Sequence, residues 1–315
     1  MKFQVVYDLK QYDSVLIPIE DELRKRGWDI VKGSASSYNT DNSVRGSIGC
    51  QTGGWIDKNP MKSPSFLIFH GVSFIKQWAK FYKNWDYVIV PSKFWETSIR
   101  SGSGLATPLG LGWSKSDLLL NNKDKKEEFG DLIRKRHNLD ELPIVLFAPT
   151  YSKNKSSQYP GNAAQLRTVV KCLPKYNVIF MPHVMCDLKS SFDDYKPRVS
   201  HEYTKKHEYL LGADILISDT SSLVFEFALL DKPVVMLNNT SIHNYLAIRG
   251  TDEIVELGDI VPINNLGLLG DVVKKNIENP SINRDKRAFW TDKCLGYCDG
   301  NSTKRIVDKL EEICG

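Results

Sequence analysis

No run of about 18 consecutive apolar residues occurs in this chain, so the sequence offers no membrane-spanning helix. Its first residues, MKFQVVYDLKQYD, carry acids and tyrosines where a secretory signal needs an uninterrupted apolar stretch. Both absences lead to the expectation of a cytoplasmic protein. Cysteine is scattered: Cys50, Cys172, Cys186, Cys294, Cys298 and Cys314 make no C-x-x-C pair. The one close couple, Cys294 and Cys298, has no histidine or second pair beside it, which argues for reduced thiols over a zinc site or a disulfide framework. Excess charge is small. With 42 Lys and Arg against 38 Asp and Glu the formal net charge is +4, the basic residues are interleaved with acids, and no nucleic-acid recognition motif is present. Fixed-period repeats and low-complexity tracts are missing too, which excludes solenoids and disordered tails. No paired-carboxylate metal motif is apparent, and no cofactor is expected.

What is present is an ordinary folded composition, 41% hydrophobic and 25% charged over 315 residues, a length that suits two domains. Short apolar runs alternate with helical patterns. Phe3–Tyr7 reads as a strand and Ser14–Gly27 as a helix with Leu16, Ile19 and Leu23 on one face. Ser65–Phe69 and Asp86–Val90 follow as strands, and Phe94–Arg100 as a helix. After the charged stretch Asn121–Glu128 the pattern restarts, with strands at Ile144–Phe147, Asn177–Met181, Asp214–Ser218 and Val234–Leu237. Strands alternating with helices imply parallel sheets of βαβ units. The expectation is an α/β chain of two Rossmann-like domains facing a central cleft, residues 1–120 and 121–315, with the last helix a candidate to return to the N-terminal domain.

Polar residues directly after a parallel strand are the natural place for chemistry, because ligands bind beyond the carboxyl ends of such strands. In GADILISDTSSLVFEFALLDKPVVML, residues 212–237, a buried strand ends in Asp219-Thr220-Ser221-Ser222 and a helix follows. This turn reads either as a phosphate seat or as plain capping of the helix. In SFLIFHG, residues 65–71, a strand ends in His70-Gly71: a histidine suited to general-base work, or one that simply bonds a neighbouring carbonyl. The strand Ile144–Phe147 opens into Pro149-Thr150, and His183 follows the strand at Asn177–Met181.

These segments, in this order, resemble the CDP-glycerol glycerophosphotransferase family of teichoic-acid primases and polymerases, which has a GT-B fold. The resemblance is carried by His70-Gly71, Ala148-Pro149-Thr150, His183, Asp219-Thr220-Ser221-Ser222 and Asp231-Lys232-Pro233. Asp299-Gly300-Asn301-Ser302 at a helix start and Pro18-Ile19 through Gly27 add to it. The chain departs from the family pattern at Thr220, where Tyr is usual, and at Glu226, where Asp is common. It departs again in Gly112-Trp113-Ser114-Lys115-Ser116-Asp117, where Lys115 stands for an Arg and lacks its bidentate fork. The resemblance implies transfer of glycerol phosphate, or a related alditol phosphate, from a CDP-alditol donor to a hydroxyl of a glycan or lipid-linked acceptor, with release of CMP. His70 is then the candidate base. His183 bonds or neutralises a phosphate oxygen, and Gly71, Thr150, Asp219, Thr220, Ser221, Ser222 and Glu226 meet the donor. Lys115, Asp299 and Gly300 are candidate phosphate or cleft contacts.

Residues 74–85, FIKQWAKFYKNW, put Phe74, Trp78, Phe81, Tyr82 and Trp85 on one helical face with Lys76, Lys80 and Lys83 roughly opposite. The stripe reads as core packing or as a peripheral contact with the inner face of the cell membrane. Two other readings stay open: another GT-B enzyme using a nucleotide sugar (a glycosyltransferase, a CMP-Kdo-type capsule transferase or a UDP-sugar 2-epimerase), and a non-catalytic protein that binds a membrane or a glycan.

Overall fold

The computed structural model of the chain describes residues 1–7, 12–33, 42–50, 63–72, 85–100, 106–150, 165–183, 205–219, 221–238 and 256–315. They form two compact units, Met1–Asn121 with Asp292–Gly315, and Asn122–Thr291.

In chain order the first unit contains β1 (Lys2–Val6), α1 (Asp13–Lys25), β2 (Asp29–Gly33), β3 (Val44–Cys50), β4 (Ser65–Ile68), β5 (Tyr87–Val90), α2 (Lys93–Arg100), β6 (Thr107–Gly110) and α3 (Ser114–Leu120). The second contains α4 (Lys126–His137), β7 (Ile144–Phe147), α5 (Leu166–Cys172), β8 (Asn177–Phe180), α6 (Lys206–Gly212), β9 (Ile215–Ser218), α7 (Leu223–Ala228), β10 (Val234–Asn238), β11 (Asp259–Pro262) and α8 (Leu269–Glu278). The helix α9 (Arg284–Leu295) carries the chain back to the first unit, which α10 (Ser302–Cys314) completes.

Every strand pair is parallel. The first unit holds a six-stranded sheet in the order β2-β1-β3-β4-β5-β6, and the second a five-stranded sheet in the order β11-β10-β9-β7-β8. Taken from its other edge, the second sheet runs β8-β7-β9-β10-β11, so both sheets share one winding. In each, the chain direction across the sheet reverses once, between β1 and β3 and between β7 and β9. Such switch points open a crevice beyond the strand ends.

The strands and helices read from periodicity stand within a residue or two of the observed ones, while β2, β3, β6 and β11 carried no clear pattern. β3, VRGSIGC, shows why. It is a central strand, but a Cβ on Gly49 would stand 2.8 Å from the Trp85 ring, so the indole needs a residue without a side chain there. Trp85 is 3% exposed and packs into this core, which removes it from the membrane-facing stripe. Phe74, Lys76, Trp78, Lys80, Phe81, Tyr82 and Lys83 lie outside the described residues.

The C-terminal helix α10 is stapled to α1. Ile306, Val307 and Leu310 join Phe3, Leu16, Ile19 and Leu23 in one apolar cluster. Arg26 donates to Asp308 at 2.6 Å and to Glu311 at 2.8 Å, and the Trp28 indole N–H to Glu311 at 2.9 Å. None of the five described cysteines is in a disulfide. No described helix is long and apolar enough to cross a membrane.

Candidate active site

The second unit gathers its polar strand ends at its switch point. β7 runs out into Ala148-Pro149-Thr150 and its neighbour β9 into Asp219. The Ser218 hydroxyl donates to the Ala148 carbonyl at 2.6 Å. Asp219 Oδ1 accepts the Thr150 N–H at 2.8 Å and the Ser221 N–H at 3.3 Å. Asp219 is 0% exposed. Expected among the donor contacts, this carboxylate is instead a strut across the crevice, and it leaves the partly exposed Thr150, Ser221 and Ser222 to face outward. Ser221 Oγ accepts the Leu223 N–H at 3.4 Å, so that hydroxyl also supports the start of α7. Thr220 lies outside the described residues.

Glu226 points inward from α7. Its side chain is 4% exposed, and the Lys206 ammonium reaches its two oxygens at 2.9 and 3.2 Å. Expected among the donor contacts, Glu226 is instead buried and paired. Lys206, the first residue of α6, is a charged residue of this region that the sequence reading did not single out, since nothing in Lys205-Lys206-His207 marks one lysine over the other. Its charge acts on His183. Burial first, and the Lys206 cation second, push the His183 imidazole down to about 4. At neutral pH this ring is uncharged, so it can bond a phosphate oxygen but cannot neutralise it.

The D-K-P segment after α7 is scaffold. Asp231 sits at φ 54°. Its carboxylate receives Arg287, 1% exposed, at 2.9 Å, and the same guanidinium donates to the carbonyls of Ile282 at 2.6 Å and Pro280 at 2.8 Å. The Lys232 ammonium donates to the carbonyls of Leu210, Leu211 and Ala213, capping the end of α6.

In the first unit His70 stands just past β4, partly exposed, with Gly71 buried behind it. Its ring lies 5.3 Å, centroid to centroid, from Tyr12 at the start of α1. The Phe69 carbonyl beside it accepts the Trp113 indole N–H at 3.0 Å. Lys115, expected to contact phosphate or the cleft, is 7% exposed and places its ammonium 3.9 Å from the centroid of the Trp113 ring. A cation–π contact occupies it instead.

The rest of that segment is structural as well. Gly112 has φ +99°, and a Cβ there would stand 2.4 Å from the Ser302 hydroxyl. Asp117 accepts the N–H groups of Ser302 at 3.0 Å and Thr303 at 2.7 Å, capping α10. Asp299 binds Arg305 at 2.7 and 3.1 Å and the Asn301 N–H at 3.0 Å. The bonds from Arg305 hold its carboxyl below the usual carboxylate range. The Gly300 carbonyl accepts Asn121 at 3.2 Å. Both residues serve the helix start. Among the described residues no group of three or more His, Cys, Asp and Glu side chains is placed to hold a metal ion.

Two parallel α/β units with one winding are the GT-B class of fold. The solved wall teichoic acid polymerase TagF shares it, with a TM-score of 0.73 and 17% identity over 98% of this chain and 88% of that one. The chain belongs to the CDP-glycerol:poly(glycerophosphate) glycerophosphotransferase family, whose model matches residues 65–312. It is 27% identical to the teichoic acid glycerol-phosphate primase of Bacillus subtilis over 248 residues, covering 76% of this chain and 61% of the primase. It is 24% identical to the teichoic acid poly(ribitol-phosphate) polymerase of Bacillus spizizenii over 241 residues, 74% of this chain and 38% of the polymerase. The chain thus spans less than two thirds of either relative. The family and the fold class read from the motifs are confirmed.

Proposed function

We propose that this chain is a transferase that moves an alditol phosphate, glycerol phosphate or ribitol phosphate, from a CDP-alditol to a hydroxyl of a glycan or lipid-linked acceptor. The observation that carries this reading is the family match over residues 65–312, which includes His70 and the whole second unit. The ribitol option has its own support in the relative that makes a ribitol-phosphate polymer.

The acceptor oxygen attacks the β-phosphorus of the donor, its bond to the α-phosphate oxygen breaks, and CMP leaves with that electron pair. The acceptor proton passes to His70, whose place beyond a parallel strand leaves the ring partly exposed. Thr150, Ser221 and Ser222 offer hydroxyls to the donor phosphates, and His183 offers one neutral hydrogen bond. Such chemistry asks mainly for positioning and charge stabilisation.

The test is CMP release on incubation with CDP-glycerol or CDP-ribitol and short glycan acceptors, with products weighed by mass spectrometry and UDP-GlcNAc as comparator. Turnover with a CDP-alditol is expected. His70→Ala should lower it by about 10²–10⁴-fold, the usual worth of a positioned general base. Turnover of UDP-GlcNAc alone would overturn the donor assignment, and an unchanged H70A rate would overturn the base. A peripheral membrane contact through Phe74, Lys76, Trp78, Lys80, Phe81 and Lys83 belongs to the same proposal, because a lipid-linked acceptor lies at a membrane surface. Binding to anionic vesicles that is lost on replacing the three lysines is expected, and absence of binding at low salt counts against it.

A further inference from the structure

The carboxyl ends of β8 and β9 and the helices α6 and α7 bring one imidazole, one ammonium and one carboxylate together. Glu226 is the inner member, with its side chain 4% exposed, and Lys206 the outer one at 23%. An ammonium has three N–H donors. Two of these are accounted for by the Glu226 oxygens at 2.9 and 3.2 Å. Glu226 lies four residues beyond Ser222, one helical turn along α7, so the ammonium meets α7 on the face that Ser222 begins. The carboxylate fixes a flexible side chain in place and leaves its outer side open to water, at the end of the sheet where a nucleotide would lie.

We propose that Lys206 is the cation that binds the diphosphate of the donor, held in position by Glu226. This deepens the proposed function, on which it rests, and gives the role of charge neutraliser to a residue outside the family motifs. His183 stays the neutral partner, consistent with a cation already beside it. A cation on a buried carboxylate is a graded anchor: the ion pair keeps Lys206 ordered without a ligand, and the arriving phosphates supply the further negative charge that the ammonium faces.

The test compares the affinity of the full chain for CDP and for cytidine by calorimetry. The wild type should bind CDP more tightly than cytidine. Lys206→Met should weaken CDP by about 10–100-fold, the range of a charge-assisted hydrogen bond, and leave cytidine within about 2-fold. Lys206→Arg should recover most of the loss. Since K206M takes the ammonium away from the buried Glu226, the double variant K206M/E226Q is measured alongside, and its CDP-to-cytidine affinity ratio should fall by the same factor. A ratio that stays at the wild-type value in both variants, or equal loss for CDP and cytidine, overturns the inference. Failure of the wild type to bind either ligand overturns instead the cytidine-nucleotide reading on which it rests.

Discussion

Replacing Asp219 by Ala removes the acceptor that ties the ends of β7 and β9 together. The carboxylate is fully buried and takes the N–H groups of Thr150 and Ser221 at 2.8 and 3.3 Å. The shorter bond is a full charge-assisted one; the longer is weaker, and both donors belong to partly exposed residues that water can reach. A hydrogen bond to a charged group contributes roughly 1.5–3 kcal/mol, so D219A should cost about 2–4 kcal/mol once the weaker second bond and solvent rescue are allowed for. Asp219→Asn keeps one carbonyl acceptor but loses the charge and puts an NH2 donor where the second carboxylate oxygen stood, at about 1–2 kcal/mol. The choice of assay matters, because the second unit contains only Trp290 of the seven tryptophans and emission would report mostly the first unit. Hydrogen exchange read on peptides spanning 144–150 and 215–223 looks at the strut itself. D219A should lose protection there while the peptides of β1 and β3 keep theirs, D219N should lie between, and CDP affinity should fall with protection. Unchanged exchange at both strand ends in D219A would refute the strut.

Two predictions follow from other buried groups. Asp117→Ala strips the start of α10 of its cap and should cost about 1–2 kcal/mol, seen as faster proteolysis and exchange over 302–314 with the second unit unaffected. His183 titrates near 4 in the folded chain, mainly through burial, against about 6.5 when unfolded. Between those values the unfolded chain binds the extra proton, so stability falls as pH drops from 6.5 towards 4. The loss is at most about 3 kcal/mol, less what water screens at the partly exposed ring. The wild type should lose stability between pH 7 and pH 5 in urea titrations, and His183→Asn should lose less; parallel slopes would count against a buried neutral ring.

The sequence reading captured the framework because buried parallel strands write themselves as short apolar runs, as in ILIS of β9 and IVLF of β7. It lost β3 because close packing against Trp85 requires glycine at position 49, near the end of that strand, which breaks the pattern. It located the strand-end turns but not the direction in which their side chains point. Asp219 and Ser221 are two residues apart in one polar turn, yet the first faces wholly inward and the second partly outward. Periodicity carries no information about that choice, which is settled by the N–H of Thr150, just past a strand and 69 residues earlier, that needs an acceptor.

Lys206 was hidden for a related reason: its partner lies 20 residues away across a β-strand, and no local spacing announces the pair. The motifs behind the family resemblance divide accordingly. D-K-P closes α6 and anchors Arg287, and the Gly112–Asp117 segment caps α10. In the second unit the polar side chains that still reach solvent near the strand ends include Thr150, His183, Lys206, Ser221 and Ser222, and the proposed donor contacts fall among them. Of these, Lys206 alone carries a fixed positive charge. A donor with two phosphates gains from that charge and a bare nucleoside does not, so the step from cytidine to CDP is where this site should show its selectivity.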